Sequence, residues 1–445
     1  MILPPEAIPL IATFADAFTL PTYRRFVILL LAAILTTGRR TIANLLRTLG
    51  PLADGHRTDY QRVLSRAPWS ALRVACSLTD FLLRHIVPDG PVVLIGDDTV
   101  DGHPGKHVYG KARHRDPVRS THSHTAWRYG HKWVVLTVLV HFPFAARPWA
   151  LPVLVDLYRS PEDDRRRKRP HRTPAQLMCR LLRLILLRFP SRRFVFVGDS
   201  GYGTHEVARF GHRHRERLTL VSKLHPEANL FDPPPPYKGR GRPPVKGPRR
   251  PKPREAVSAA RRHRRLSVPW YGGGTRRVGT VSGTGHWFKS GHGLVPIRWV
   301  FVRDRDGTHR DEYFFSTDPA MAVAAIIAHY TSRWNIETTF QEMRHLLGLE
   351  TTRGWCRETV LRAAPCLFGL YTVVAVLYHA LPADKRTGGV VWPGKAGVTF
   401  SDALTAVRRW LWTEWVFPQA GEDGGVAKLP EPLRELILGA LATAA

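Results

Sequence analysis

Cysteine is scarce and unpatterned: Cys76, Cys179, Cys356 and Cys366 are the only four, and no two stand in a C-x-x-C spacing. That excludes a disulfide framework and a zinc finger, and it fits a reducing cytoplasm. Also missing are a Walker loop, a dinucleotide-binding glycine fingerprint and a Gly-x-Ser-x-Gly elbow. The opening MILPPEAIPL lacks the basic flank and cleavable apolar core of a signal peptide. No uninterrupted apolar run reaches the ~20 residues of a spanning helix. Phe26–Ile34 is too short, and the stretch 361–381 is interrupted by Arg362, Pro365 and His379. The second run is expected as a buried core helix, and no membrane partner is expected.

Acid is the other shortage. The 445 residues hold 36 Asp+Glu against 66 Lys+Arg, a formal net charge of +30. Codon bias towards Arg accounts for a share of this, not all. A chain so unbalanced repels itself unless a polyanion meets it, which points to nucleic acid as the partner. With 44% hydrophobic residues there is material for a real core, so global disorder is excluded.

The pattern divides the chain into five segments. Residues 1–88 read as an N-terminal helical DNA-binding domain. There RRFVILLLAAILTTGRRTIANLLRTLG sets two helices about a Thr-Gly break, with Arg39, Arg40 and Arg47 expected on the surface against DNA. Residues 89–205 read as the first part of a mixed α/β core: PVVLIGDD, WVVLTVLV and WALPVLVD as strands, a helix at 176–189, then the strand RRFVFVGDS. Residues 206–317 form a β-rich insertion with a basic Pro-rich arm at 233–254, whose Lys238, Arg240, Arg249 and Arg250 are expected to touch DNA. Trp270, Trp287 and Trp299 of this insertion are read first as packing residues and second as platforms for an unpaired base. The core resumes at 318–385 with a long helix, and 386–445 is a C-terminal helical region available for oligomerisation.

Three carboxylates carry the chemistry. VVLIG-Asp97 and FVFVG-Asp199 share one form, an acid straight after a buried strand, where α/β sheets place their ligands. Asp98 leaves the first position open, because alternation lets only one of Asp97 and Asp98 face a site. The third lies in HYTSRWNIETTFQEMRHLLGLE (329–350). On a continuous helix, Tyr330, Arg333, Glu337 and Arg344 fall within an arc of about 60°, leaving Ile326, Ile327, Trp334 and Met343 for packing. Asp, Asp and Glu together make a hard-oxygen site for Mg²⁺, with Mn²⁺ as substitute, and two such ions ~3.5–4 Å apart suit phosphodiester chemistry. Arg333 and Arg344 would hold phosphates and Tyr330 would bond or stack on a nucleotide. The loop 101–131, with His103, His107, His114, His122, His124 and His131, reads as phosphate contact or plain surface ahead of a zinc site.

YTSRWNIETTFQEMR resembles the signature of bacterial insertion-sequence DDE transposases: Tyr, two residues, Arg, three residues, Glu, six residues, Lys. Arg344 stands where that pattern has Lys. GDDT resembles the family's first-acid motif, which favours Asp97 over Asp98, and GDSGYG resembles the second-acid motif at Asp199. The resemblance covers roughly 90–380 and implies an RNase H-like fold interrupted by a β-rich insertion between Asp199 and Glu337. It also implies an enzyme that binds the inverted repeats of its element, cleaves their ends with metal ions on Asp97, Asp199 and Glu337, and joins them to target DNA. A homodimer on double-stranded DNA is expected. Two other readings stay open: a nuclease of the same core that cuts without joining, and a transposase-derived DNA-binding protein without catalysis.

Overall fold

The computed structural model describes residues 3–116, 120–121, 123–237, 239, 242–420 and 428–444. Among these residues eleven strands join one sheet. In chain order they are β1 (Val92–Gly102), β2 (Ala112–Arg115), β3 (Trp127–Val140), β4 (Trp149–Tyr158), β5 (Phe194–Gly198), β6 (Leu218–Lys223), β7 (Leu230–Phe231), β8 (Arg264–Pro269), β9 (Thr275–Lys289), β10 (Gly293–Asp304) and β11 (Glu312–Ser316). The heart of the sheet runs β4-β3-β1-β5-β6. There β3 is antiparallel to both β1 and β4, while β1, β5 and β6 are parallel. That order and sense make an RNase H-like mixed α/β core. Its inner strand β5, FVFVG, is buried at every position, as a strand covered on both faces must be.

The main helices are α1 (Leu20–Leu35), α2 (Ile42–Leu49), α3 (Arg57–Ser65), α4 (Ala71–His85), α5 (Pro174–Arg188), α6 (His205–Arg213), α7 (Val323–Ser332), α8 (Trp334–Leu346), α9 (Arg357–Ala380), α10 (Phe400–Leu411) and α11 (Glu431–Ala442). One face of the sheet is covered by α5, whose Met178 packs over Gly96. On the other face Phe368 of α9 meets Trp133 and Phe340 of α8 edge-on. α9 is the helix long and apolar enough to cross a membrane, but 72% of its apolar window is buried inside the fold. Its partners include α1, α3, α4, α8, α10 and β4.

Three sequence expectations change here. First, 218–223 falls inside the expected insertion, yet β6 is a core strand in register with β5. The insertion therefore starts after β6. It is no separate β unit, because β11 returns to pair with β6 and β10 and β9 extend the same sheet. Second, the change near residue 88 is one of element type, not of core: α1, α3 and α4 pack on α9, α4 also packs on β4, and one apolar cluster runs through both regions.

Third, Arg40 is not a surface residue. It is 7% exposed, and its guanidinium donates to the carbonyls of Ala33, Gly38 and Leu346. Arg408, fully buried on α10, donates to Ile34 and Thr36. The last turn of a helix leaves carbonyls without partners, and these two arginines supply donors at the end of α1. Burial pushes the Arg40 pKa down to about 10. Docking the N-terminal helices, not holding DNA, is the role its contacts describe.

Candidate active site

Gly96 of β1 and Gly198 of β5 are register partners on adjacent parallel strands. Both positions exclude a side chain. A Cβ on Gly96 would sit 2.5 Å from Met178 and Phe196, and one on Gly198 would sit 2.6 Å from Tyr202. The repeated apolar-run-Gly-Asp form thus marks the level at which the β1–β5 pairing stops, which sets Asp97 beside Asp199. The pairing of β1 with β5 ends there, but β1 itself continues through both acids to Gly102 against β3. The strand expected to end at the acids does not end, because its antiparallel partner β3 carries it on.

Alternation along that continued strand separates the two candidate acids. Asp97 turns to α8: its Oδ2 accepts from Arg333 Nη1 at 2.8 Å. Asp98 turns the other way, pairs with Lys132 at 2.8 Å and lies 3.5 Å from the Tyr202 hydroxyl. Burial pushes the Asp97 carboxyl up to about 7; Arg333 opposes that, and the charges of Asp199 and Asp98 add to it. Asp199 Oδ1 accepts the backbone N–H groups of Gly201 and Tyr202 at 2.9 and 3.3 Å. The Ser222 hydroxyl donates to the carbonyls of Gly198 and Asp199, fixing the end of β5.

The expected long helix divides at Arg333, where α7 gives way to α8 through a tighter i→i−3 turn with the backbone still helical. The guanidinium there reaches both ways. Nη2 donates to Glu337 Oε1 at 2.6 Å while Nη1 holds Asp97. Its side chain is 11% exposed, against 36% for Glu337. Burial works against the charge of Arg333, but Asp97, Tyr330 and Glu337 together hold its pKa above the ordinary value. One arginine therefore ties the first acid to the third.

Tyr330 is corrected. It is 1% exposed, its ring stacked 4.2 Å from that of Phe314 in β11. The helical arc placed it correctly beside Arg333 but did not reveal that this arc faces the sheet, so its ring faces are not open to a nucleotide. Trp334, assigned to packing, is 47% exposed at the start of α8.

Arg344 lies two turns along the same helix. It donates to the Thr99 hydroxyl and, from Nε, to Glu350 at 3.1 Å; Glu350 also takes Arg128 at 2.6 Å. Glu350 and Arg128 were not anticipated, and Thr99, the last residue of the GDDT motif, had no role assigned to it. The signal for Thr99 was available, since it follows Asp97 by two residues on a strand. Asp101 follows by four and is 1% exposed. Burial and the Glu350 charge push it up to about 8, against the opposing pull of Arg128 and Arg344.

The remaining candidates lie apart from the acids. Arg39 and Arg47 are exposed, the latter bonded to Asn44 at 3.0 Å. Arg249 is exposed, and Arg250 is exposed but paired with Asp232. Lys238 and Arg240 lie outside the described residues, as does His122. Trp270 and Trp299 are buried and Trp287 packs edge-on to Phe315. His103, His114 and His131 are buried as well. Among the described residues no three His, Cys, Asp or Glu side chains already form a metal-sized group. At the acids, Arg333 occupies the space between two of them.

Comparison with known proteins adds three findings. A family model described as DDE superfamily endonuclease matches residues 13–277, a span that includes Asp97 and Asp199 and stops before Glu337. Among solved structures, a piggyBac transposase in a synaptic complex with hairpin DNA, determined by cryo-EM, is 9% identical with a TM-score of 0.42. That match covers 98% of this chain and 80% of the other. No curated protein matches.

Proposed function

The chain belongs to the DDE superfamily endonucleases, and from that premise we propose that it is a DNA transposase. It binds the terminal inverted repeats of an insertion sequence, cuts the element's ends and joins the freed 3′-hydroxyls to target DNA. The observation that carries this reading is the convergence of Asp97 and Glu337 on Arg333, with Asp199 level with Asp97 across the Gly96–Gly198 register.

The donor set fits divalent ions. It offers hard oxygens only, and burial and like charges raise the pKa of the Asp97 carboxyl, a strain that a cation relieves. Asp97, Asp199 and Glu337 would hold two Mg²⁺, or Mn²⁺ in their place. Such ions activate the attacking hydroxyl and stabilise the leaving oxygen. The chain's own part is placement. Ser222 and the turn N–H groups hold Asp199 at the end of β5, and β3 holds Asp97 turned to α8. Arg333 and Arg344 would grip the strand being cut, while the exposed Arg39, Arg47 and Arg249 would take flanking phosphates of the duplex. The protein would act in the cytoplasm as a homodimer on DNA.

Cutting without joining is the second reading, favoured by the family description itself, which is that of an endonuclease. One assay separates the two. The purified protein is given the gene's own flanking sequences on labelled DNA with Mg²⁺ and a target plasmid. Transposition yields both cut ends and labelled plasmid; cut ends alone would leave the nuclease.

A further inference from the structure

Two demands meet on Arg333. It neutralises Asp97 and Glu337 through separate nitrogens at 2.8 and 2.6 Å, and a phosphate at the cut site needs the same fork. A divalent ion between those acids and a guanidinium in the same place repel each other, so one must leave. We propose that Arg333 is an exchangeable counter-ion, which holds the two acids together until a DNA phosphate draws it off and thereby couples metal loading to DNA binding. This rests on the reading of the acids as metal ligands.

Three observations make the exchange physical. Arg333 stands where α7 gives way to α8 with its backbone still helical (φ −55°, ψ −32°), so exchange needs only rotation of its side chain. Its Nε is buried with no hydrogen-bond partner, so the guanidinium is held through its two outer nitrogens and not locked at every donor. Glu337, the more exposed of its two acids, leaves an open side from which a phosphate can approach. Arg344 offers no such exchange, since its partners are Thr99 and Glu350 and not the two acids. Coupling of this kind is reciprocal: whatever factor DNA adds to metal affinity, metal adds to DNA affinity.

The test reads metal, not cleavage. Free Mn²⁺ is followed by its EPR signal in the full-length chain, for wild type, Arg333→Met, Arg333→Lys and Asp97→Asn/Glu337→Gln. Each is measured with and without a 20-base-pair duplex of arbitrary sequence at low salt, beside a thermal melt. Without DNA, Arg333→Met should bind Mn²⁺ about tenfold more tightly than wild type, and Arg333→Lys should fall between, because one ammonium cannot fork to two acids. The duplex should tighten Mn²⁺ binding more in wild type than in Arg333→Met. If the Met variant does not fold, the Lys variant carries the comparison. Equal Mn²⁺ affinity with and without the Arg333 fork overturns the exchange and leaves the metal site standing. No Mn²⁺ binding in any variant, or binding that persists in Asp97→Asn/Glu337→Gln, overturns the metal-ligand reading and the exchange with it.

Discussion

Asp97 and Asp101 lie four residues apart on one face of β1, the first partly and the second fully buried, and their surroundings differ. Asp97 has a guanidinium at 2.8 Å, a second acid beside it on β5, and the half-exposed Glu337 beyond. Asp101 is 1% exposed, and burial with the Glu350 charge pushes its pKa up to about 8. Burial raises both carboxyls: at Asp97 the guanidinium of Arg333 in direct contact opposes it, whereas at Asp101 Arg128 and Arg344 act against the added charge of Glu350.

The sharpest way to break this contrast is substitution. Asp97→Asn, Asp199→Asn and Glu337→Gln should each lower metal-dependent cleavage about a thousand-fold or more. Duplex binding should survive, since affinity comes from Lys and Arg on phosphate. Asp101→Asn should keep cleavage within a few-fold. Wild-type rates for any of the first three, or a dead Asp101→Asn that folds normally, would erase the distinction.

Stability should show the opposite ranking. The folded pKa of Asp101, about 8, stands above its unfolded value of ~3.9. Between those limits the folded chain holds a proton that the unfolded chain has lost, so stability falls as pH rises through that window. Asp101→Asn does not titrate. Its advantage over wild type should grow from near zero at pH 4 to a few kcal/mol by pH 8, then level off. Urea unfolding at pH 5 and pH 8 reads this directly; a constant gap would mean that Asp101 is charged in the fold.

Arg344 stands between the two acids, on Thr99. Arg344→Ala should cost about 1–2 kcal/mol, because Glu350 keeps Arg128 as a partner. Strand joining should fall about tenfold, with Arg344→Lys in between. Normal joining by the alanine variant would leave Arg344 a structural residue. The smallest effect lies outside the strand: Arg249→Ala with Arg250→Ala should lower the slope of log K against log salt by about one, not two, since Arg250 already has Asp232. An unchanged slope would make the arm a spacer.

The acid-bearing strands were legible because the Gly-Asp repeat is local, and the close approaches at Gly96 and Gly198 explain why it recurs. What failed was long-range. No local pattern shows that Arg40 reaches the Leu346 carbonyl, that β11 returns to β6, or that the Tyr330 arc faces Phe314. Asp101 was missed for a simpler reason: ending the strand at Asp98 hid the alternation that places Thr99 and Asp101 in line with Asp97.

The central claim is that Asp97, Asp199 and Glu337 share one metal site. Loading the full chain with Fe²⁺ in place of Mg²⁺, then adding ascorbate and peroxide, cuts the backbone wherever the iron sits. Cuts are expected beside Asp97, Asp199 and Glu337, suppressed by excess Mg²⁺ and lost in Asp97→Asn/Glu337→Gln. Cuts confined to the histidine-rich loop, or cuts that survive the double substitution, would contradict it.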